Sequence, residues 1–492
     1  MTKRQASTQA APQASAKPRR RASEVSAEPV VERVPRKRDA RPKAREADFV
    51  VIGAGSGGVA AARRAASLGA RVILVERDAI GGTCVNRGCV PKKMLSYGAG
   101  WASILSTCLS HTGGKEDWRD AIVRVNAEVA RLNASYKQRL NEAGVEIWHG
   151  AAQLNERGDI VVGNEVIRAG KTLIATGASP VALPIPGGEL ASSSDDVFTW
   201  QTLPASLVVI GGGYIAVEMA SILSRYGVKV DLLVREDRLL QRFDHDIATS
   251  LAEVLVAKGV RIHFRTQVTM VSQSNGATEV CYTQENNPGR TQTVRTQAVL
   301  AAIGRKPNVD GLGLDALGVK RDNKGGIKVD RQFRSSVRSI YAIGDCMADN
   351  IHLTPVAIAQ GRWLADRLFG KRGDIADLDV VPTAVFCEPA IGAVGLTEAQ
   401  AIEAADGKAD RVRTEIKRFV SLENRFGGVP YPSVFKLVLN ARSGRVLGVH
   451  LMDGAAPEIV QALAVALRLG LKASHLKTTL PLHPTVAEEL FG

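Results

Sequence analysis

No stretch of eighteen apolar residues occurs in the chain, so no segment is expected to cross a bilayer and a soluble protein is expected. Leu, Ile and Phe are absent from the first 23 residues. That stretch lacks both the apolar core of a secretory signal and the apolar face of an import helix, which leaves organelle import the lesser alternative to the cytoplasm. Aromatic residues are missing from residues 1–46, and no nucleic-acid-binding motif stands beside their basic charge, so no nucleic-acid partner is expected. Cysteine is scarce, with six in 492 residues: Cys84, Cys89, Cys108, Cys281, Cys346 and Cys387. In a chain of this length without a secretory signal, these do not form a disulfide framework. A reducing compartment is implied, where any disulfide is a catalytic one.

The formal charge of +14 lies mostly at one end. Residues 1–46 hold thirteen Lys or Arg against five Asp or Glu. Rich also in Ala, Pro, Ser and Gln, they are read as a disordered basic tail, because such a stretch buries too little apolar surface to offset its ordering entropy. The rest is long enough for two to four domains.

From Asp48 the character changes. Phe49-Val50-Val51-Ile52 reads as a buried strand, followed by Gly53-Ala54-Gly55-Ser56-Gly57-Gly58 and an Ala-rich helix to Ser67. Gly53 permits a tight turn, Gly55 lets the backbone approach a pyrophosphate, and Gly58 lets the helix pack on the strand. A second strand ends at Glu76, 23 residues after Gly53, where its carboxylate suits an adenosine ribose. The pattern repeats at Leu207 to Ile210, Gly211-Gly212-Gly213-Tyr214-Ile215-Ala216 and the strand Lys229 to Val234. Here Arg235 follows the second strand instead of an acid, which favours a 2′-phosphate and hence NADPH; Arg238 and Arg242 add charge nearby. A lone glycine loop is weak evidence. Two, each between strand and helix with a suitable residue at the right distance, point to two dinucleotide sites.

Between them lies Gly81-Gly82-Thr83-Cys84-Val85-Asn86-Arg87-Gly88-Cys89-Val90-Pro91-Lys92-Lys93. Thiols five positions apart can form a local disulfide if the helix start between them is irregular, and Gly88 and Pro91 supply irregularity. A helix N-terminus with Lys92 and Lys93 favours a thiolate. Two buried structural cysteines, or a pair of metal ligands, are the alternatives. No further Cys or His follows until Cys108 and His111, and no metal is expected.

The motif at 81–93 resembles that of the pyridine nucleotide disulfide oxidoreductases and, within them, the glutathione reductases, over residues 47–492. Supporting matches are Ala175-Thr176-Gly177, Ala302-Ile303-Gly304-Arg305, Ile343-Gly344-Asp345 and His483-Pro484-Thr485-Val486-Ala487-Glu488-Glu489. The resemblance implies an α/β fold: two Rossmann-like domains, for FAD and NADPH, and an α+β C-terminal dimerisation domain. It divides the chain into a first FAD segment at 47–183, an NADPH domain at 184–307, a second FAD segment at 308–379 and an interface domain at 380–492. FAD would be held by Gly53, Gly55, Ser56, Gly57, Gly58, Glu76, Gly82, Thr83, Thr176, Gly177, Asp345 and Thr354. NADPH would be held by Gly211, Gly213, Ala216, Arg235, Arg242, Gly304 and Arg305, with Tyr214 moving aside for the nicotinamide. Lys92 would pair with Glu218 near the flavin, a burial costly for either alone. Cys89 would be the thiolate facing the flavin and Cys84 the interchange thiol. His483, oriented by Glu488, would protonate the departing thiol in the other subunit of a homodimer.

Substrate choice rests on fewer residues. An anionic glutathione disulfide calls for arginines, and Arg63 and Arg362 match glutathione reductases, as Tyr136 matches the tyrosine over the substrate disulfide. Trypanothione reductases place an acid and a tryptophan where Ala60 and Arg63 stand. Lipoamide dehydrogenases have serine in the place of Lys92. The last cysteine is Cys387, which points away from the large thioredoxin reductases and mercuric reductases. Another small disulfide, trypanothione-like, or dihydrolipoamide with NAD is the alternative substrate. One departure touches the cofactor: glutathione reductases carry a second arginine six residues after the one matching Arg235, and here that residue is Gln241, with Arg242 next.

Overall fold

The computed structural model describes residues 44–108, 115–274, 276–370, 378–426, 428 and 431–491. Residues 1–43 of the tail, and His111, lie outside the described residues. The first strand, Arg45–Ile52, begins inside the stretch that composition assigns to the tail. Arg45 and Glu46 pair with Ile167 and Arg168, and Arg45 meets Glu146 at 3.1 Å. This corrects the expected end of the tail at residue 46: backbone hydrogen bonds carry a strand past the point where its apolar side chains stop.

Strand Arg45–Ile52 runs parallel between Val72–Glu76 and Glu165–Ile174, with Glu146–His149 outside Val72–Glu76. Phe49, Val50 and Val51 are wholly buried, as a parallel strand covered on both faces requires. Helix α1 (Ser56–Ser67) packs on it and α4 (Lys115–Glu142) packs on α1; between them in the chain come α2 (Gly82–Arg87) and α3 (Cys89–Cys108), whose Leu95 and Ala99 are buried with Leu207 and Val217. A second parallel sheet centres on Ser206–Ile210, flanked by Lys229–Leu233 and Ala298–Ala301. It carries α5 (Tyr214–Arg225), α6 (His245–Ala257) and an antiparallel meander over residues 266–296.

The chain then returns to the first sheet, where Ile340–Ala342 pairs parallel with Glu165–Ile174. Outgoing Ala178–Pro180 and returning Arg305–Pro307 form an antiparallel ribbon between the two sheets' segments. Leu183, assigned from sequence to the first FAD segment, packs instead with Val208, Val268 and Val299 in the second sheet's core. Helix α7 (Thr354–Phe369) crosses α1 so closely that a Cβ at Gly361 would lie 2.5 Å from the Gly57 carbonyl oxygen. The last part is a five-stranded antiparallel sheet over residues 383–452, backed by the helix Ala456–Arg468. Phe435, Leu451, Val460 and Leu467 form its core. Two sheets of dinucleotide-binding type, the first extended by antiparallel strands at Ala152–Leu154 and Ile160–Val162, and a C-terminal α+β layer are the α/β architecture that the resemblance implies. Among the described residues no helix is long and apolar enough to cross a membrane.

Candidate active site

The first glycine loop is shaped by contact. Gly53 has φ +105°, and a Cβ there would stand 2.5 Å from the Ala175 oxygen; one at Gly58 would run into the Gly53 carbonyl. At Gly55 nothing lies within 4 Å of where a Cβ would be, so the loop is open on that side. No side chain caps α1, which leaves its first N–H groups for an anion. Glu76 accepts the Ala54 N–H at 2.6 Å and the Asp78 N–H at 2.8 Å, bringing a carboxylate to the loop's edge. Asp345, on the turn Gly344–Cys346, makes no side-chain hydrogen bond among the described residues. Burial pushes its carboxyl up, against the pull of His352 and Arg305, and an enclosed acceptor of this kind suits a ligand bearing hydroxyls. The open loop, the free helix end and these acceptors fit FAD. Thr176 is already engaged, donating to Asn308 O at 2.6 Å, with Gly177 beside it at φ +68°.

The second loop repeats the geometry. A Cβ at Gly211 would run into the Ala302 carbonyl, Gly213 faces open space, and Ala216 is buried. Arg235 projects outward with 78% of its side chain exposed, 2.8 Å from Glu236. Arg238 donates to Gln241 O and Phe243 O at 3.0 and 3.2 Å, so it braces its own loop. Gln241 donates to Asp237 at 3.1 Å. Arg242 lines a cavity of about 410 Å³ with Arg238, His245 and residues of the 397–400 segment. Outward cations beside an open glycine loop fit a phosphorylated dinucleotide. Arg305 stands apart from this set: Gly304 is exposed, but the Arg305 guanidinium donates to Ala178 O at 2.6 Å and lies 3.6 Å from Asp195, bracing the ribbon between the sheets.

Gly88, at φ −151° and ψ −117°, breaks the helix between the cysteines, leaving Cys84 in α2 and Cys89 at the start of α3. Gly82 opens α2 in contact with Gly55, and Thr83 is exposed beside it. Both cysteines are free thiols, and they are hydrogen-bonded to each other. The bond from Cys84, then the Lys92 charge, pulls Cys89 down against burial. The same bond, reinforced by burial, pushes Cys84 up. Cys89 is therefore the sulfur that carries negative charge. Ser56 and Thr354, both expected to hold FAD, put hydroxyls on Cys84, and Thr354 Oγ1 lies 3.9 Å from Cys89 Sγ.

Behind the thiols, Lys92 Nζ meets Glu218 Oε1 at 2.6 Å, both buried. The same oxygen accepts the Phe386 N–H at 2.8 Å, and the Phe386 ring lies 4.6 Å from Lys92 Nζ and 3.9 Å from Lys93 Nζ. Sequence reasoning missed Phe386; its partner Glu218 is 168 residues away, and no local pattern marks it. Tyr214, one turn before Glu218 on α5, is 45% exposed. On α4, Asn133 donates to Ile80 O and to Asn86 Oδ1, both at 2.9 Å, anchoring α2. Tyr136, three residues on, is half-buried against the first core. Arg63 and Arg362 are exposed on the two crossing helices, α1 and α7.

His483 Nδ1 lies 2.8 Å from Glu488 Oε2, with 77% of the His483 side chain exposed. The carboxylate fixes Nδ1 as the protonated nitrogen and leaves Nε2 free. No hydrogen bond joins His483 to either cysteine among the described residues of one chain. Beside it Leu480 and Leu482 are 92% and 76% exposed, an apolar run without cover.

The model of the pyridine nucleotide-disulphide oxidoreductases matches residues 47–361, and that of their dimerisation domain matches 381–491. A glutathione reductase of Burkholderia cepacia is 38% identical over 446 residues, 90% of this chain and 97% of the relative. Those of a Nostoc species and of Yarrowia lipolytica are 36% and 35% identical, each alignment spanning 90% of this chain and 98% of the relative. With two matched models that together span both glycine loops, the thiol pair and the His483 segment, this chain belongs to the pyridine nucleotide-disulphide oxidoreductase family.

Proposed function

We propose that this protein is an FAD-dependent, NADPH-consuming glutathione-disulfide reductase working as a homodimer. The observation that carries the reading is the thiol pair Cys84 and Cys89, set on two helices across the break at Gly88, with Thr354 against Cys89 and the buried Lys92–Glu218 pair behind. FAD, when bound, supplies a two-electron carrier between the nicotinamide and the cysteines. Residues 45–182 and 308–379 would make its domain, 183–307 that of NADPH, and 380–492 the subunit interface.

With both thiols reduced, Cys84 loses its proton to Nε2 of His483 of the partner subunit, which Glu488 holds in position. Cys84 Sγ attacks one sulfur of the substrate, breaking its S–S bond and forming a mixed disulfide. The leaving glutathione thiolate takes the proton back from His483. Cys89 Sγ then attacks Cys84 Sγ, releasing the second glutathione and closing the protein disulfide. Arg63 and Arg362 would receive substrate carboxylates, and Tyr136 would border the substrate from α4. The scarcity of cysteine in a chain of this length is in keeping with a reducing compartment, which we take to be the cytoplasm.

The test is steady-state oxidation of NADPH by the purified holoenzyme with glutathione disulfide, trypanothione disulfide and lipoamide offered separately. Efficient turnover with glutathione disulfide is expected. Turnover with either of the others alone would remove the substrate assignment.

A further inference from the structure

Lys436, in the strand Ser433–Asn440, is wholly buried, yet its ammonium meets three carboxylates: Asp246 at 2.6 Å, Glu398 at 2.7 Å and Asp244 at 2.9 Å. Stability is a poor explanation for such a cluster, because desolvating the charges offsets much of their attraction and apolar packing often does as well. What the cluster holds is more telling. Asp244 is the N-cap of α6, where Oδ1 accepts the Asp246 N–H at 3.1 Å, and Oδ2 takes the Glu398 N–H at 3.3 Å. Beside Lys436 in the ladder His450, itself buried, bonds Leu396 O at 2.9 Å and steadies the segment leading to Glu398.

Immediately before Asp244 runs the loop 235–243. Its Leu240 N–H donates to Gly212 O at 2.8 Å, which ties the loop to the second glycine turn. Arg238 is consumed in bracing the loop, and Gln241 is paired with Asp237. Arg235 and Arg242 are then the loop's outward-facing cations. The loop is held at one end by the glycine turn and at the other by Asp244, which Lys436 of the C-terminal sheet engages.

We propose that Lys436 is a positioning residue for nucleotide selectivity, holding through Asp244 the loop that presents Arg235 and Arg242 to a 2′-phosphate. The inference rests on the reading of the second glycine loop as an NADPH site. A guanidinium–phosphate bond depends steeply on geometry, and NADH has no 2′-phosphate, so only the phosphorylated nucleotide feels a displaced loop.

The experiment measures binding of 2′,5′-ADP and of 5′-AMP to the FAD-loaded holoenzyme by calorimetry, in the native protein and in Lys436→Met. Affinity for 2′,5′-ADP is expected to fall about tenfold, with 5′-AMP within about twofold. The KM for NADPH should rise in parallel while that for glutathione disulfide stays put. If Lys436→Met fails to fold, Glu398→Gln and Asp246→Asn, whose side chains are 41% and 31% exposed, test the same link and should shift 2′,5′-ADP binding several-fold in the same direction. Folded variants that bind both nucleotides as the native protein does, or lose both equally, would overturn the proposal. A native protein that binds 2′,5′-ADP no better than 5′-AMP would instead overturn the NADPH reading, and this inference with it.

Discussion

At Cys89 a neighbouring thiol and a neighbouring ammonium act in the same direction, lowering the sulfur from its usual 9.0 to about 6 against a desolvation that opposes charge. A lowered pKa means that the thiolate is present above that value and lost as pH falls through it. The long-wavelength absorbance of a thiolate against the flavin, in two-electron-reduced holoenzyme, should therefore hold at neutral pH and fade with a midpoint near about 6. A midpoint close to that of an ordinary thiol would contradict the asymmetry. The His483–Glu488 pair acts on the other half of the chemistry. His483→Ala is expected to slow disulfide reduction by about a hundredfold while NADPH still reduces the flavin at nearly the native rate in rapid mixing. Loss of the flavin step in that variant would remove the acid–base assignment. Arg305 illustrates the limit of motif reading at this scale: its place beside Gly304 was visible, but its engagement with Ala178 and Asp195 depends on a ribbon that forms only when two distant segments pair.

Among the elements, the crossing of α1 and α7 sets the distance between the first glycine loop and Thr354, which touches the thiols. Gly361→Ala puts a methyl 2.5 Å from Gly57 O, and backbone cannot yield as a side chain does. A loss of about 1–3 kcal/mol is expected, read as a lower melting temperature and faster release of FAD. An unchanged melting temperature would show that the crossing relaxes freely. Both strand–glycine–helix units were legible because hydrophobic runs and glycines lie within about 25 residues of each other. The return strand Ile340–Ala342 was not legible from its own residues: three apolar positions suit any buried strand, and only pairing with Thr172, Leu173 and Ile174 gives it a sheet.

For the whole molecule, one chain presents a catalytic-type histidine and an uncovered apolar run at the same edge. Leu480→Asp combined with Leu482→Asp should shift the protein to monomer in sedimentation and abolish turnover of glutathione disulfide, because each site would lose the histidine that completes it. Reduction of the flavin by NADPH should persist, since both glycine loops belong to one chain. Monomers with full turnover would refute a shared site.

The amino-acid sequence by itself determined what short spacing can determine: two dinucleotide turns, a cysteine pair broken by Gly88, a lysine beside the second thiol, and a histidine five residues from its carboxylate. Local backbone geometry follows from neighbours, so such patterns carry their own shape. Tertiary structure alone decided that Phe386 would cap Glu218, that Thr354 would reach Cys89 across 265 residues, and that Lys436 would gather Asp244 and Glu398. These contacts exist because the sheets and helices bury their apolar faces together, a balance set by the entire chain and written in no single window of it.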